Sequence, residues 1–310
     1  MFRAGTRRKE KERNSLRGFS LLELMVAMAI LLTVTGIIMS GMVQTSKLQG
    51  TISNRTEMHA SVRSATELLQ QEIGQAGRAA MPSALTLTTA VASGAQTATV
   101  SSTSGLFQNE QLVSDTGANQ ETVIITAAPT ATQFTAVFVQ AHASGAPVAV
   151  LGGFAAGIIP TTATNGSTGS LLKMFGDINS DGNMVYVEYN CDTAGGNLYR
   201  NVMSFSAGSK PALTPAMVLL PNILANPDGS ACFSYKQKVV GANTYVIDVA
   251  VTLTVQTQQL DPQTGLRQQE TKALLNVSPR NVFEAWEMAS GGLMTRIQAT
   301  PASVTSLLAN

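Results

Sequence analysis

The chain has 310 residues, of which 13% are charged, and a net charge of +1 at neutral pH. That length allows a sizeable core, in one large domain or two smaller ones. Residues 1–18 hold Arg3, Arg7, Arg8, Lys9, Lys11, Arg13 and Arg17 against Glu10 and Glu12, so this leader carries +5 and the remainder −4. The positive charge is thus spent in the leader, and no basic surface is left to recruit nucleic acid.

The leader ends at Gly18, and an apolar run begins at once with Phe19. From Leu24 to Ser46 there is no charged residue. Those 23 positions span about 35 Å as a helix, enough to cross a hydrocarbon core of about 30 Å. A secretory signal would have a shorter apolar stretch followed by a small-residue cleavage site. The basic flank predicts that residues 1–18 face the cytoplasm and that the C-terminal part is exported. One acid, Glu23, interrupts the apolar run, and a carboxylate at membrane depth is costly unless something uses it.

The basic leader and the stretch Gly18-Phe19-Ser20-Leu21-Leu22-Glu23 together resemble a type IV prepilin signal, the class III leader of pilins and pseudopilins. The alternative is an ordinary signal anchor that happens to contain one acid. The resemblance implies that a membrane prepilin peptidase cuts between Gly18 and Phe19 and N-methylates Phe19. It also makes Glu23 the acid that pairs with the terminal amine of a neighbouring subunit. A carboxylate and an ammonium can neutralise each other in the apolar layer, where each alone is expensive.

The helix is expected to run over residues 19–80, with 19–44 in the membrane. Beyond Lys47 apolar residues recur at Leu48, Ile52, Met58, Val62, Ala65, Leu69 and Ile73, with Arg55, Glu57, Arg63, Glu67 and Glu72 on other faces. Gly74 and Gly77 weaken the helix, and Met81-Pro82-Ser83 should end it. His59 lies on this helix as a surface or groove residue.

Residues 84–152 are rich in Thr, Ala, Val and Ser, with short β-type runs (TATVSS, ETVIITA, QFTAVFV, PVAVLGG) between turn signals. They read as a small β-barrel or sandwich inserted after the helix, and loosely resemble a compact β-module of phage and bacterial surface proteins. His142, just before Ala-Ser-Gly-Ala-Pro, reads as a turn residue rather than a metal ligand, because no second ligand is near. Residues 160–170 form a linker or exposed loop.

In GDINSDGNMVYVEYNC, the residues Asp177, Asn179, Asp181, Gly182 and Glu188 have the spacing of an EF-hand calcium loop, with Asn183 among the oxygen donors. Oxygens at alternate positions can wrap a hard cation, so Ca2+ is a candidate cofactor. The following MVYVEYN is a strand and not a helix, which leaves a plain polar turn as the other reading. Further strands follow in NLYRNVMSFS, ACFSYKQKVV, TYVIDVAVTLTVQTQQ and ETKALLNVSP, the last two joined by a DPQTG hairpin turn. On the long strand Tyr245, Ile247, Val249, Val251, Leu253 and Val255 share one face, expected on the helix, and Val246 and Asp248 belong to the solvated face. LLPNI reads as a connection crossing the sheet. Cys191 and Cys232 form a disulfide if the chain is exported; two unpaired buried thiols are the alternative.

RSATELLQQEIGQAG, CFSY, VAVTLTVQT and NVSPRN extend the resemblance to the PilW-type minor pilins and to the J-type pseudopilin of type II secretion, over residues 1–80 and about 171–283. The implied fold is α+β: a pilin-type helix packed on an antiparallel sheet head (171–283), with the β module inserted at 84–152. The tail, 284–310, has no counterpart. No H-E-x-x-H, G-x-S-x-G, P-loop or G-x-G-x-x-G after a strand occurs, so no enzyme is indicated.

The expected protein is a minor pilin that primes or tips a type IV pilus, since its 292 residues after cleavage would crowd a shaft. A tip pseudopilin of type II secretion and a pilin-anchored adhesin are the alternatives. The expected partners are other major and minor pilins or pseudopilins, the prepilin peptidase and an inner-membrane assembly platform. The expected place is the bacterial inner membrane, single-pass with a periplasmic head, and then the filament.

Overall fold

A computed structural model describes residues 19–78 and 85–309. The leader with Gly18, and Met81-Pro82-Ser83, lie outside the described residues. The chain is α+β: one long helix, α1 (Leu21–Gln75), precedes a series of antiparallel strands. It divides into two compact units, one reaching Ser53 together with Asp261–Gly265, the other Asn54–Leu260 with Leu266–Asn310.

In the first unit, Asp261 accepts hydrogen bonds from Thr51 Oγ1 (2.5 Å), from Gln263 N (2.9 Å) and from Thr264 Oγ1 (3.0 Å). The DPQTG turn is therefore closed by its own aspartate beside α1.

In the second unit the helical stripe is real but shorter than the periodicity suggests. Met58, Val62, Ala65, Leu69 and Ile73 are buried, whereas Leu48 and Ile52, which belong to the first unit, are exposed. Glu72, expected on a face other than the apolar stripe, is instead 3% exposed. Its position is the next step of the four-three spacing that runs through 58, 62, 65 and 69, so it points at the sheet. The helix also ends before the expected stop. Gly77 has φ +84° and donates its N–H to Phe175 O at 2.8 Å, while Asn281 Nδ2 donates to the carbonyls of Gln75 (3.2 Å) and Gly77 (3.3 Å). A left-handed glycine and a side-chain cap from far along the chain terminate it.

The inserted strands are β1 (Leu85–Thr86), β2 (Gly94–Thr99), β3 (Gln111–Ser114), β4 (Glu121–Ile124), β5 (Gln133–Phe138) and β6 (Pro147–Val150). They form a sheet of order β1-β6-β3-β4 and a β2-β5 pair. Alternate residues face inwards, and Leu87, Leu112, Val123, Phe134 and Phe138 belong to a core made only of residues 85–150.

After the short β7 (Gly153–Phe154) come β8 (Leu171–Gly176), β9 (Val185–Asp192), β10 (Asn197–Ser204) and β11 (Val218–Pro221), in the order β11-β10-β9-β8. β12 (Ile223–Leu224), β13 (Phe233–Val240) and β15 (Gln269–Val277) all pair with the long β14 (Asn243–Gln256). The segment expected as a plain connection, Leu219–Ile223, thus supplies a short strand to each sheet, turning at Asn222 (φ 59°). The connection between β14 and β15 is residues 257–268, longer than the DPQTG turn alone. Both sheets share one core with α1, including Leu172, Val187, Tyr189, Val249, Val251 and Leu253.

The strict alternation expected along β14 breaks once. Its register against β13 shifts between Lys236↔Asp248 and Gln237↔Val246. This bulge puts Val246 with the core under α1, while Tyr245 and Ile247 join a different cluster. That cluster is covered by α2 (Arg280–Ser290) through Val282, Ala285 and Ala289. The unplaced tail therefore has a role. After α2, β16 (Ile297–Gln298) pairs in parallel with β7, and α3 (Ala302–Ala309) buries Val304, Leu307 and Leu308 among Phe107, Phe175, Tyr186 and Phe205.

Candidate functional site: the N-terminal apolar helix and its acid

The first turns of α1 show why this sequence makes a helix here. Leu, Met and Ala dominate Leu21–Leu32, and Leu24 N–H bonds Ser20 O at 3.1 Å. Glu23 lies in the first turn, where unpaired N–H groups favour a negative charge. Two of the hydroxyls that interrupt the apolar run are satisfied within the helix: Thr33 Oγ1 donates to Ile30 O (2.8 Å) and Thr45 Oγ1 to Gly41 O (2.9 Å). They therefore carry no unmet polar group into lipid.

Every residue from Phe19 to Leu48 is exposed, including Phe19 at 84%, Leu21 at 78% and Ile37 at 73%. Such a continuous apolar surface has to be covered, and the run is long and apolar enough to cross a membrane. Glu23 has no ion-pair partner among the described residues. The run from Phe19 to Ser46 therefore offers one carboxylate on an otherwise uncharged surface. It can accept a cation supplied by another molecule.

The acidic loop is arranged differently. Asp177 Oδ1 accepts the N–H groups of Asp181 (3.0 Å) and Gly182 (3.2 Å), and Asp181 accepts that of Asn183 (2.8 Å). Ser180 (φ 54°) and Gly182 (φ 86°) make the turn. Glu188 lies mid-strand on β9 with its carboxylate bonded to Tyr186 and Lys210, so the structure does not bring it to Asp177. Among the described residues no three acids, histidines or cysteines cluster as metal ligands. Cys191 and Cys232 are bonded (S–S 1.98 Å, Cα–Cα 6.5 Å), joining the end of β9 to the residue before β13.

Three polar clusters escaped the sequence reading. Glu72 accepts Tyr189 Oη at 2.5 Å and Arg200 Nε at 3.1 Å, with Arg200 Nη2 also in contact. The heptad position of Glu72 was the available signal. Burial and the neighbouring carboxylate push the Tyr189 phenol above its ordinary range. His142 is buried on a bridge to Val91, not at a turn surface, with Nδ1 3.1 Å from Asp115 and Nε2 2.6 Å from Glu121. Arg78 lies 3.5 Å from Glu110 and bonds Gly105 O, tying the segment after α1 to the insert. His59 lies on the surface against Glu270.

With this geometry in view, the family model described as the prokaryotic N-terminal methylation motif matches residues 13–39. No curated protein and no solved structure matches the chain. The matched stretch holds Gly18, Phe19, Glu23 and the start of the exposed apolar helix, and the match supports a type IV prepilin-like protein. Its motif is that of structural proteins of pilin type, which assemble with other pilins after prepilin peptidase processing.

Proposed function

We propose that the protein is a minor pilin that primes or tips a type IV pilus. The observation that carries this is the exposed apolar run from Phe19 to Ser46 directly after Gly18, whose one charged residue is Glu23. Peptidase cleavage after Gly18 leaves an amine on Phe19, which is then methylated. Glu23 pairs with that amine on a neighbouring subunit as the helix leaves the bilayer. A docked pair is neutral, and a misplaced subunit leaves two uncompensated charges in a medium that penalises each. The assembly platform of the inner membrane supplies the setting, and the head stands in the periplasm.

Bulk supports a terminal position. The insert, with its own core, and the α2-α3 tail add volume beyond the sheets that cover α1. A repeating shaft would have to accommodate this bulk at every step, and a terminal subunit only once. The insert's separate core also favours a second reading, a binding module carried on a pilin stalk.

The test is N-terminal mass analysis of the membrane-extracted protein together with filament counts in a deletion strain. A start at methylated Phe19, with few or no filaments in the strain, is expected. A start elsewhere overturns the processing, and normal filaments overturn the priming role.

A further inference from the structure

The exposed apolar surface of α1 does not stop at Lys47. Leu48 and Ile52, which follow it, are exposed as well. This end of the apolar helix and the turn Asp261–Gly265 belong to one compact unit. Gly50 admits the turn, since a Cβ there would meet Pro262 Cγ at 3.0 Å. Thr51 Oγ1 donates to Asp261 Oδ1, and Gly265 N donates to Asp261 O at 2.8 Å, so the turn is held shut on the helix. Its base is fixed too: Thr257 N donates to Gln268 O (2.8 Å) and Arg267 Nη1 to Thr257 O (2.9 Å). A turn closed by hydrogen bonds needs no apolar side chains to hold it. Yet Leu260, just before it, is 57% exposed, and Leu266, just after it, 69%. Single exposed leucines are ordinary, but here two bracket a turn that docks on the helix between Leu48 and Ile52.

We infer that this turn and its two leucines are a second lipid contact, seated in the headgroup layer of the bilayer that α1 crosses. The inference rests on the reading of α1 as a membrane anchor, and the occupant follows from position. Thr51 lies five residues past Ser46, where the uncharged run ends, or about 7 Å along the helix axis. The headgroup layer adds about 5–8 Å on each side of the hydrocarbon, so the turn stands level with it. The lipid-facing surface of α1 therefore continues past Lys47 into Leu48, Ile52, Leu260 and Leu266. Charge agrees with this. Residues 46–56 and 257–268 carry Lys47, Arg55 and Arg267 against one acid, the buried Asp261, although the chain beyond the leader is net −4. Cations at this level meet lipid phosphates, and the leucines reach the upper acyl chains. The turn is ordered before it touches lipid, so contact costs little conformational entropy. The contact fixes the depth and rotation of the helix in the bilayer, and it is given up when the helix leaves.

The experiment is spin labelling of the full chain in vesicles of phosphatidylethanolamine and phosphatidylglycerol. Cys191 and Cys232 are bonded to each other, so one introduced cysteine takes the label. The variants are Leu260→Cys and Leu266→Cys, with Ile37→Cys as the reference inside the span and Leu293→Cys as an exposed leucine elsewhere. Each label is read by its collisions with oxygen, which concentrates in lipid, relative to a water-soluble nickel complex. The ratio at Leu260 and Leu266 is expected well above that at Leu293 and below that at Ile37. A ratio at both leucines equal to that at Leu293, with Ile37 in lipid, overturns the contact and leaves the anchor standing. A watery Ile37 overturns the anchor and the contact with it. Spin–spin broadening at Leu260 and Leu266 that dilution with unlabelled protein removes assigns the surface to a second copy of the chain, and it too overturns the proposal.

Discussion

At the scale of single residues, three carboxylates do different work because their surroundings differ. Glu23 lies on an exposed apolar helix, and its partner is proposed to be another subunit's amine. Glu23→Ala should therefore leave cleavage intact but abolish most incorporation into filaments, read by comparing processed protein in membranes with protein in sheared filaments. Full incorporation would refute the pairing. Glu72 is internal, and its loss strands Arg200 and the Tyr189 hydroxyl. Glu72→Ala should cost about 3 kcal/mol of head stability, measured by denaturant unfolding.

Glu110 shows the opposite electrostatics. Burial pushes its pKa up to about 7, with Arg78 and the Phe107 N–H only partly offsetting. A folded-state value above the unfolded one means that the native state holds the extra proton between roughly pH 4.5 and 7. The resulting stability is complete below that window and is lost as pH rises through it, by about 3 kcal/mol. Glu110→Gln should flatten this slope in a melting series from pH 5 to 8. Asp115 and Glu121 act in a lower window. The His142 contact holds Asp115 below the ordinary carboxylate range. Burial raises Glu121, but the N–H groups of Gln140 and Val139 and the His142 ring outweigh it. Their contribution is present above the ordinary range and disappears as pH falls below it.

At the scale of elements, local pattern and tertiary context diverge at two places. The alternating residues of β14 announce a strand correctly, yet the bulge opposite Lys236 and Gln237 sends Tyr245 and Ile247 to α2 and Val246 to α1. A bulge is a property of a pair of strands, so one strand's sequence does not display it. The end of α1 is the second case. Proline chemistry points to residue 82, but the helix stops at Gln75 because Gly77 takes a left-handed conformation beside Asn281 and Val282. Gly77→Ala should lower stability by about 1–2 kcal/mol from backbone strain, with further loss from crowding, since a Cβ there meets Val282 Cγ2 at 3.2 Å. Thermal melting of the variant beside Gly74→Ala tests this: Gly74 has open space around it, and that change should be neutral or stabilising.

At the scale of the whole molecule, the insert has its own core but is held by more than its chain ends. Arg78 reaches Gly105, and Gln298 Nε2 donates to Gly152 O (3.3 Å) while its Oε1 accepts Gln111 N (3.3 Å). Deleting residues 84–152 should leave Arg78 without Glu110 and so lower the melting temperature of the remaining head, even where processing at Gly18 continues. If filaments then form normally and attachment is lost, the insert is a binding module. If filaments are lost, it belongs to assembly.

The N-terminal methylation motif, the membrane-length apolar run and the α+β class were legible in the sequence, because each depends on local composition or period. The presence of most strands was legible for the same reason. What only the tertiary structure decided is which polar groups meet: Glu72 with Tyr189 and Arg200, His142 with two carboxylates, Lys173 with Glu188. Those partners are brought together by strand register and helix docking. Both are set by summed burial across residues far apart in the chain, which no single stretch of sequence displays.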